Sequence, residues 1–163
     1  MLRCRSTRLL ALRGLTDGQG PGRSARGLLL KGMTPHATGF ERASKSIVVI
    51  DDSEDLAASV VWLLELEGYI ACFALTGAAG LDLVFRSGAH AVVLDYVLPD
   101  MTGADVAIAL RADPATRKVH IIMCTGTAEV TVRERFSDYH AFLAKPVAHA
   151  DLMRSLDLAF APP

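Results

Sequence analysis

Four places in this chain put a side chain able to do chemistry directly after an apolar run: Asp51-Asp52, Asp95, Thr125 and Lys145-Pro146. If the runs lie side by side, three carboxylates meet at one crevice and repel one another. A hard divalent cation relieves that repulsion. Magnesium prefers oxygen ligands in near-octahedral geometry and keeps several waters, so two or three carboxylates plus a backbone carbonyl suit it. The ammonium group of Lys145 could neutralise a phosphoryl oxygen, and the hydroxyl of Thr125 could hydrogen-bond another. A carboxylate placed between a metal and a cation can attack phosphorus and become an acyl phosphate. The protein's share of such a reaction is mostly positioning and charge stabilisation.

The elements that must position these residues are legible as alternating runs. Ile47-Val48-Val49-Ile50 is continuous and β-branched, the mark of a strand buried on both faces, and Asp51 follows it. Residues 51–55 are rich in helix-capping types, and Leu56, Val60, Leu63 and Leu64 then recur at helical spacing up to Gly68. Residues 69–74 read as a second strand and 76–87 as a helix ended by Gly88, with Leu81, Val84 and Phe85 on one side. Ala91-Val92-Val93-Leu94 is a third strand running into Asp95. Thr102-Gly103-Ala104-Asp105 has the form of a capping box, opening a helix that stops before Asp113-Pro114. Residues 119–124 form a fourth strand, 128–136 a short polar helix, 141–144 a fifth strand and 148–160 a last helix.

Five β-α units in strict alternation predict a parallel sheet with helices on both faces. Right-handed crossovers and an open sheet imply an α/β, doubly wound (βα)5 fold; of its two common strand orders the expectation is the flavodoxin-like 2-1-3-4-5, which periodicity alone does not fix. In such a sheet ligands bind beyond the carboxyl ends of the strands, where all four polar positions would lie.

Charge divides the chain. Residues 1–45 hold nine basic and two acidic residues, net +7, whereas the rest holds eight basic and sixteen acidic, net −8. The acidic part, residues 46–161, is read as the domain, and its charge argues against direct nucleic-acid binding. The leader carries seven glycines and two prolines, too many for stable helix or strand. Three readings of it stand side by side: a disordered basic tail, an Arg-rich presequence of the mitochondrial type, or an untranslated stretch ahead of a start at Met33. Three cysteines without C-x-x-C spacing predict a reducing, cytoplasmic setting, and no run approaches the ~20 apolar residues of a membrane span. The five histidines lack metal-ligand spacing and are assigned no chemistry. Trp62 is read as core or partial surface.

Each polar position alone has an ordinary explanation. Asp51-Asp52 could cap a helix, Asp95 could be a loop carboxylate, Thr125 could bond to backbone, Lys145 could be solvated and Phe142 could be core packing. Their order changes that. The acidic pair after strand one, Asp95 with Pro99 and Gly103 as D-x-x-x-P-x-x-x-G, Thr125-Gly126, and Lys145-Pro146 together resemble the response-regulator receiver family over residues 46–161. The resemblance implies a signalling module, not an enzyme. It implies that Asp95 accepts a phosphoryl group from a sensor histidine kinase or a histidine phosphotransfer protein. It implies Mg2+ held by Asp51, Asp52, Asp95 and the Val97 backbone carbonyl. Thr125 and Lys145 would bind the phosphoryl group, Thr125 and Phe142 would reposition on phosphorylation, and the Lys145–Pro146 bond is a cis candidate.

The surface between the fourth and fifth helices would then change its affinity for a downstream protein, with no DNA or membrane contact. Phe142 lacks a phenolic hydroxyl, and residues 137–140 lack the glycine common before the family's fifth strand, so output need not follow the usual pattern. No effector module follows the last helix, and a single-domain regulator is the expectation. Two alternatives differ in class: a receiver-like interaction module that needs no phosphate, and a metal-dependent phosphatase with an aspartyl intermediate.

Overall fold

In a computed structural model, residues 42–161 are described; the leader readings, including a start at Met33, fall outside them except at residues 42–45. Five parallel strands form one sheet: β1 (Ser46–Ile50), β2 (Ile70–Ala74), β3 (Ala91–Leu94), β4 (His120–Thr125) and β5 (Ala141–Ala144). Their order is β2-β1-β3-β4-β5, the flavodoxin-like one of the two common doubly wound orders. The helices are α1 (Glu54–Leu66), α2 (Gly77–Ser87), α3 (Gly103–Ala112), α4 (Glu129–Arg135) and α5 (His149–Ala159).

The period of two along each strand builds two cores, one on each face of the sheet. Val48, Ile50, Val92, Leu94, Ile121 and Met123 face α2, α3 and α4, which contribute Val84, Val106, Leu110 and Val132. Ile47, Val49, Val93, Ile122 and Cys124 face α1 and α5, which contribute Ala57, Val61, Leu64, Leu152 and Leu156. Strands buried on both sides must be apolar throughout, which is why the first, third and fourth read as unbroken runs.

Caps fix where the helices begin and end. Ser53, Thr76 and Thr102 each accept a backbone N–H from the first turn of their helix. The capping box is present in full: Thr102 Oγ1 accepts from Asp105 N, and Asp105 Oδ2 accepts from Thr102 N. Gly88 ends α2 in the left-handed conformation, φ 61°. One expected face is corrected. Phe85 is exposed, whereas Val84 is buried and Leu81 packs on the core as expected, with Gly77, Gly80 and Leu83 also turned inward. A Cβ at Gly80 would stand 2.4 Å from Ile50 Cδ1, so glycine there lets the helix approach the sheet. Trp62 is also largely exposed. Arg42, counted with the basic leader, is held to the domain by Glu67 at 2.7 Å and Asp157 at 2.9 Å, tying the ends of α1 and α5.

Three histidines sit in a row at the amino ends of β3, β4 and β5. The Ser46 N–H donates to His90 Nδ1 and the Ile121 N–H to His140 Nδ1, each at 3.1 Å. Both rings are therefore built in as neutral acceptors. Burial first, then neighbouring cations, lowers the pKa of His90 and His140, and burial, His140 and Arg111 lower that of His120. The unfolded chain thus takes up protons at a higher pH than the folded one, so stability is lost as pH falls through about 6.5. The urea midpoint is expected to be lower at about pH 5.5 than at about pH 7.5; an unchanged midpoint would contradict these hydrogen bonds.

Candidate phosphoryl-acceptor site

Parallel pairing carries the four polar positions to one edge. Asp51 and Asp95 are the residues after β1 and β3, in register because Ile50 pairs with Leu94. The Asp51 N–H donates to the Ala74 carbonyl and the Asp95 N–H to the Ile50 carbonyl, so the ladder holds both backbones past the strand ends. Thr125 pairs with Ala144, which puts it beside Lys145, whose N–H donates to the Thr125 carbonyl.

Asp51 and Asp95 are buried, at 4% and 7% exposure, whereas Asp52 is exposed. One oxygen from each lies within 4.8 Å of the others. Two buried carboxylates need a counter-charge. Lys145 supplies it: its Nζ donates to Asp51 Oδ2 at 2.6 Å and also to Asp95 Oδ2. Burial by itself would lower the Lys145 pKa, but the hydrogen bonds and charges of Asp51 and Asp95 outweigh it and hold the ammonium above the ordinary lysine value. The second oxygens are also oriented, since Ser53 N–H donates to Asp51 Oδ1 and Val97 N–H to Asp95 Oδ1. The Lys145–Pro146 bond, a cis candidate by the family resemblance, is cis.

The loop after β3 is braced on three sides. Val97 pairs with Thr102 in an antiparallel bridge, and Gly103 N–H donates to the Tyr96 carbonyl at 2.8 Å. Asp100 accepts from the Gly77 and Ala78 N–H groups at the start of α2, at 2.8 and 2.9 Å. Those two bonds, the Ala78 one first, hold the Asp100 carboxyl below the usual range. Sequence reading gave Asp100 no role, since nothing in the local pattern links it to a helix 23 residues away. Gly103 explains itself here, because a Cβ would fall 2.2 Å from the Asp95 carbonyl oxygen.

Thr125 is fully buried as the last residue of β4, and its Oγ1 accepts from Thr127 N–H. Phe142 pairs with Met123, two residues below the Thr125–Ala144 pair, so it and Thr125 lie on the same face of the sheet. Its half-buried ring packs on the core beneath α4, with Tyr139 at 6.2 Å. Val97 itself is exposed on the loop.

A buried carboxylate bridged by an ammonium group, at the carboxyl edge of a 2-1-3-4-5 sheet, is the arrangement that the family comparison then meets: the model of the response regulator receiver domain matches residues 47–157. The chain belongs to that family. This receiver is 40% identical over 80 residues to the sensory transduction protein RegX3 of Mycobacterium tuberculosis, across 49% of its own length and 34% of RegX3. It therefore spans about a third of RegX3. It is 30% identical over 128 residues to an uncharacterized 14.6 kDa protein of Leptolyngbya boryana, covering 74% of the receiver and 95% of that protein. Among solved structures it resembles a CheY-like response regulator receiver domain protein from Methanospirillum hungatei, at 29% identity and a TM-score of 0.61, over 70% of this chain and 91% of that one. A sensor protein from Polaromonas sp. JS666 matches at 28% identity and a TM-score of 0.66, over 71% and 95%. Receiver domains are signalling modules that get phosphoryl groups from histidine kinases and generally bind Mg2+ at an acidic pocket, and here the three aspartates form such a pocket. No helix among the described residues is long and apolar enough to cross a membrane.

Proposed function

We propose that this receiver takes a phosphoryl group onto Asp95 from the phosphohistidine of a sensor histidine kinase or a histidine phosphotransfer protein. The observation that carries the reading is the Lys145 ammonium bridging Asp51 and Asp95, with Asp52 close enough for the three carboxylates to share a cation. The donor set is all hard oxygen, which fits Mg2+, and Asp51, Asp52, Asp95 and the Val97 backbone carbonyl would hold it. When bound, the ion supplies positive charge against which phosphoryl oxygens are neutralised.

The residues of the chain do the rest. An Asp95 carboxylate oxygen attacks phosphorus, the P–N bond of the donor breaks, the freed imidazole nitrogen takes a proton, and an acyl phosphate remains. Lys145 then gives up its hold on Asp95 to a phosphoryl oxygen, and the Thr125 hydroxyl donates to another. A rearranged Thr125 leaves room on the face it shares with Phe142, and a shift of that ring would alter the α4-β5-α5 surface that meets a downstream protein. A single-domain regulator acting by protein contact is the reading favoured here; that the match covers 95% of the Leptolyngbya protein supports a receiver standing alone, while the match covers only 34% of RegX3.

The test is intact mass after incubation with Mg2+ and acetyl phosphate. One adduct of ~80 Da is expected, lost with EDTA and cleaved by hydroxylamine as an acyl phosphate must be. A folded, magnesium-binding protein that takes no adduct would favour an interaction module needing no phosphate. Continuous release of phosphate from added esters would favour a phosphatase.

A further inference from the structure

The pole opposite Asp95 holds two lysines that, among the described residues, no carboxylate pairs with. At the amino ends of β3 and β4 a concavity of about 210 Å³ is lined by Lys45, His90, Lys118, His120 and Phe160. Lys45 is half-buried, and its Nζ lies 5.3 Å from the Phe160 ring centre. Among the described residues neither Lys45 nor Lys118 has a carboxylate within ion-pair distance. Arg42, three residues before Lys45, is held by two carboxylates. The cation–π contact with Phe160 accounts for part of the Lys45 charge, but in a domain so rich in acid its remaining neighbours are histidines and a lysine instead of carboxylates.

The histidines add donors. Because Ser46 N–H donates to His90 Nδ1, the proton of neutral His90 sits on Nε2. Among the described residues His120 Nδ1 is buried without a hydrogen-bond partner. The charged groups around these rings are Lys45, Lys118, Arg111 and His140, with Asp138 engaged by Arg111 at 2.7 Å. Mutual repulsion among these groups is what a bound anion would relieve. The space equals roughly seven water volumes at ~30 Å³ each, enough for a phosphate or pyrophosphate with part of its hydration.

We propose that this concavity is a second site, which binds a small multivalent oxyanion of the phosphate class through Lys45, Lys118 and the Nε2–H of His90. It is independent of the Asp95 chemistry and lies at the other end of the strands. Because the anion favours protonated histidine, binding strengthens as pH falls through His120, whose Nδ1 can take a proton without breaking a hydrogen bond among the described residues, whereas His90 serves as the neutral Nε2–H donor; burial, His140 and Arg111 start His120 below the ordinary histidine value.

The experiment is an amide NMR titration of the full chain, without Mg2+, using sulfate and pyrophosphate against sodium chloride at matched ionic strength. Saturable shifts are expected at Ser46, His90, Val119 and His120, with a Kd of about 1 mM or tighter. Lys45→Met with Lys118→Met should weaken binding at least ~tenfold, and Lys118→Met alone, at an exposed position that folding tolerates, by about threefold. Asp95→Asn should leave it unchanged. Sulfate keeps its charge between about pH 8 and 6, so its tighter binding at the lower pH reports His120. The proposal is overturned if chloride gives the same shifts, if shifts appear only around Thr125, Gly126 and Lys145, or if the lysine substitutions change nothing.

Discussion

Lys145→Met is expected to slow phosphorylation of Asp95 by small donors at least ~100-fold at saturating Mg2+, the cost of losing one preorganised positive group from such a site. Methionine keeps an unbranched stem and removes the ammonium group, with its charge and its hydrogen bonds to Asp51 and Asp95. In the wild type the ammonium bridges Asp51 and Asp95, so it competes with any divalent cation for the same oxygens. Its removal leaves two buried carboxylates with no counter-charge, and Mg2+ affinity should rise several-fold. The two effects run in opposite directions, which a generally damaged site would not produce. A variant phosphorylated at the wild-type rate would show that Lys145 contributes only structure.

Gly103→Ala is expected to cost about 3 kcal/mol, the upper part of the usual overpacking range. The new methyl would meet the Asp95 carbonyl oxygen at 2.2 Å and the Tyr96 Cα at 2.9 Å. Both are backbone atoms, so no side chain can swing away. The melting temperature should fall by roughly 10 °C, and phosphorylation should fall with it because the strain bears directly on the acceptor residue. Gly126→Ala is the control: a Cβ there meets nothing within 4 Å, and a change below about 0.5 kcal/mol is expected. Equal stability of the two variants would contradict the packing described around Asp95.

Much of the fold could be read from the residues because its signals are local. The strand runs, the capping box at Thr102 and the glycine stop at Gly88 are each set within a few residues of sequence, and the alternation of units limits the topology to few choices. The site was legible for the same reason, since polar residues at the ends of parallel strands must converge. What escaped depended on distance or on small residues. The inward face of α2 is marked by Gly77 and Gly80, which a search for large apolar side chains passes over, so Phe85 was assigned to the wrong side. The Asp100 bonds to α2, the Arg42 clamp on Glu67 and Asp157, and the histidine row each join segments far apart in sequence. No periodicity encodes such pairs, because they exist only once the sheet has placed the elements.

The central claim is that the phosphoryl group resides on Asp95, and borohydride trapping tests it most directly. Reduction of an aspartyl phosphate gives homoserine, which peptide mass spectrometry locates by position. After treatment with Mg2+ and acetyl phosphate, homoserine is expected at position 95, absent without Mg2+ and absent from Asp95→Asn. Homoserine at position 51 or 52, or an adduct that survives at a histidine, would contradict the assignment of Asp95 as acceptor.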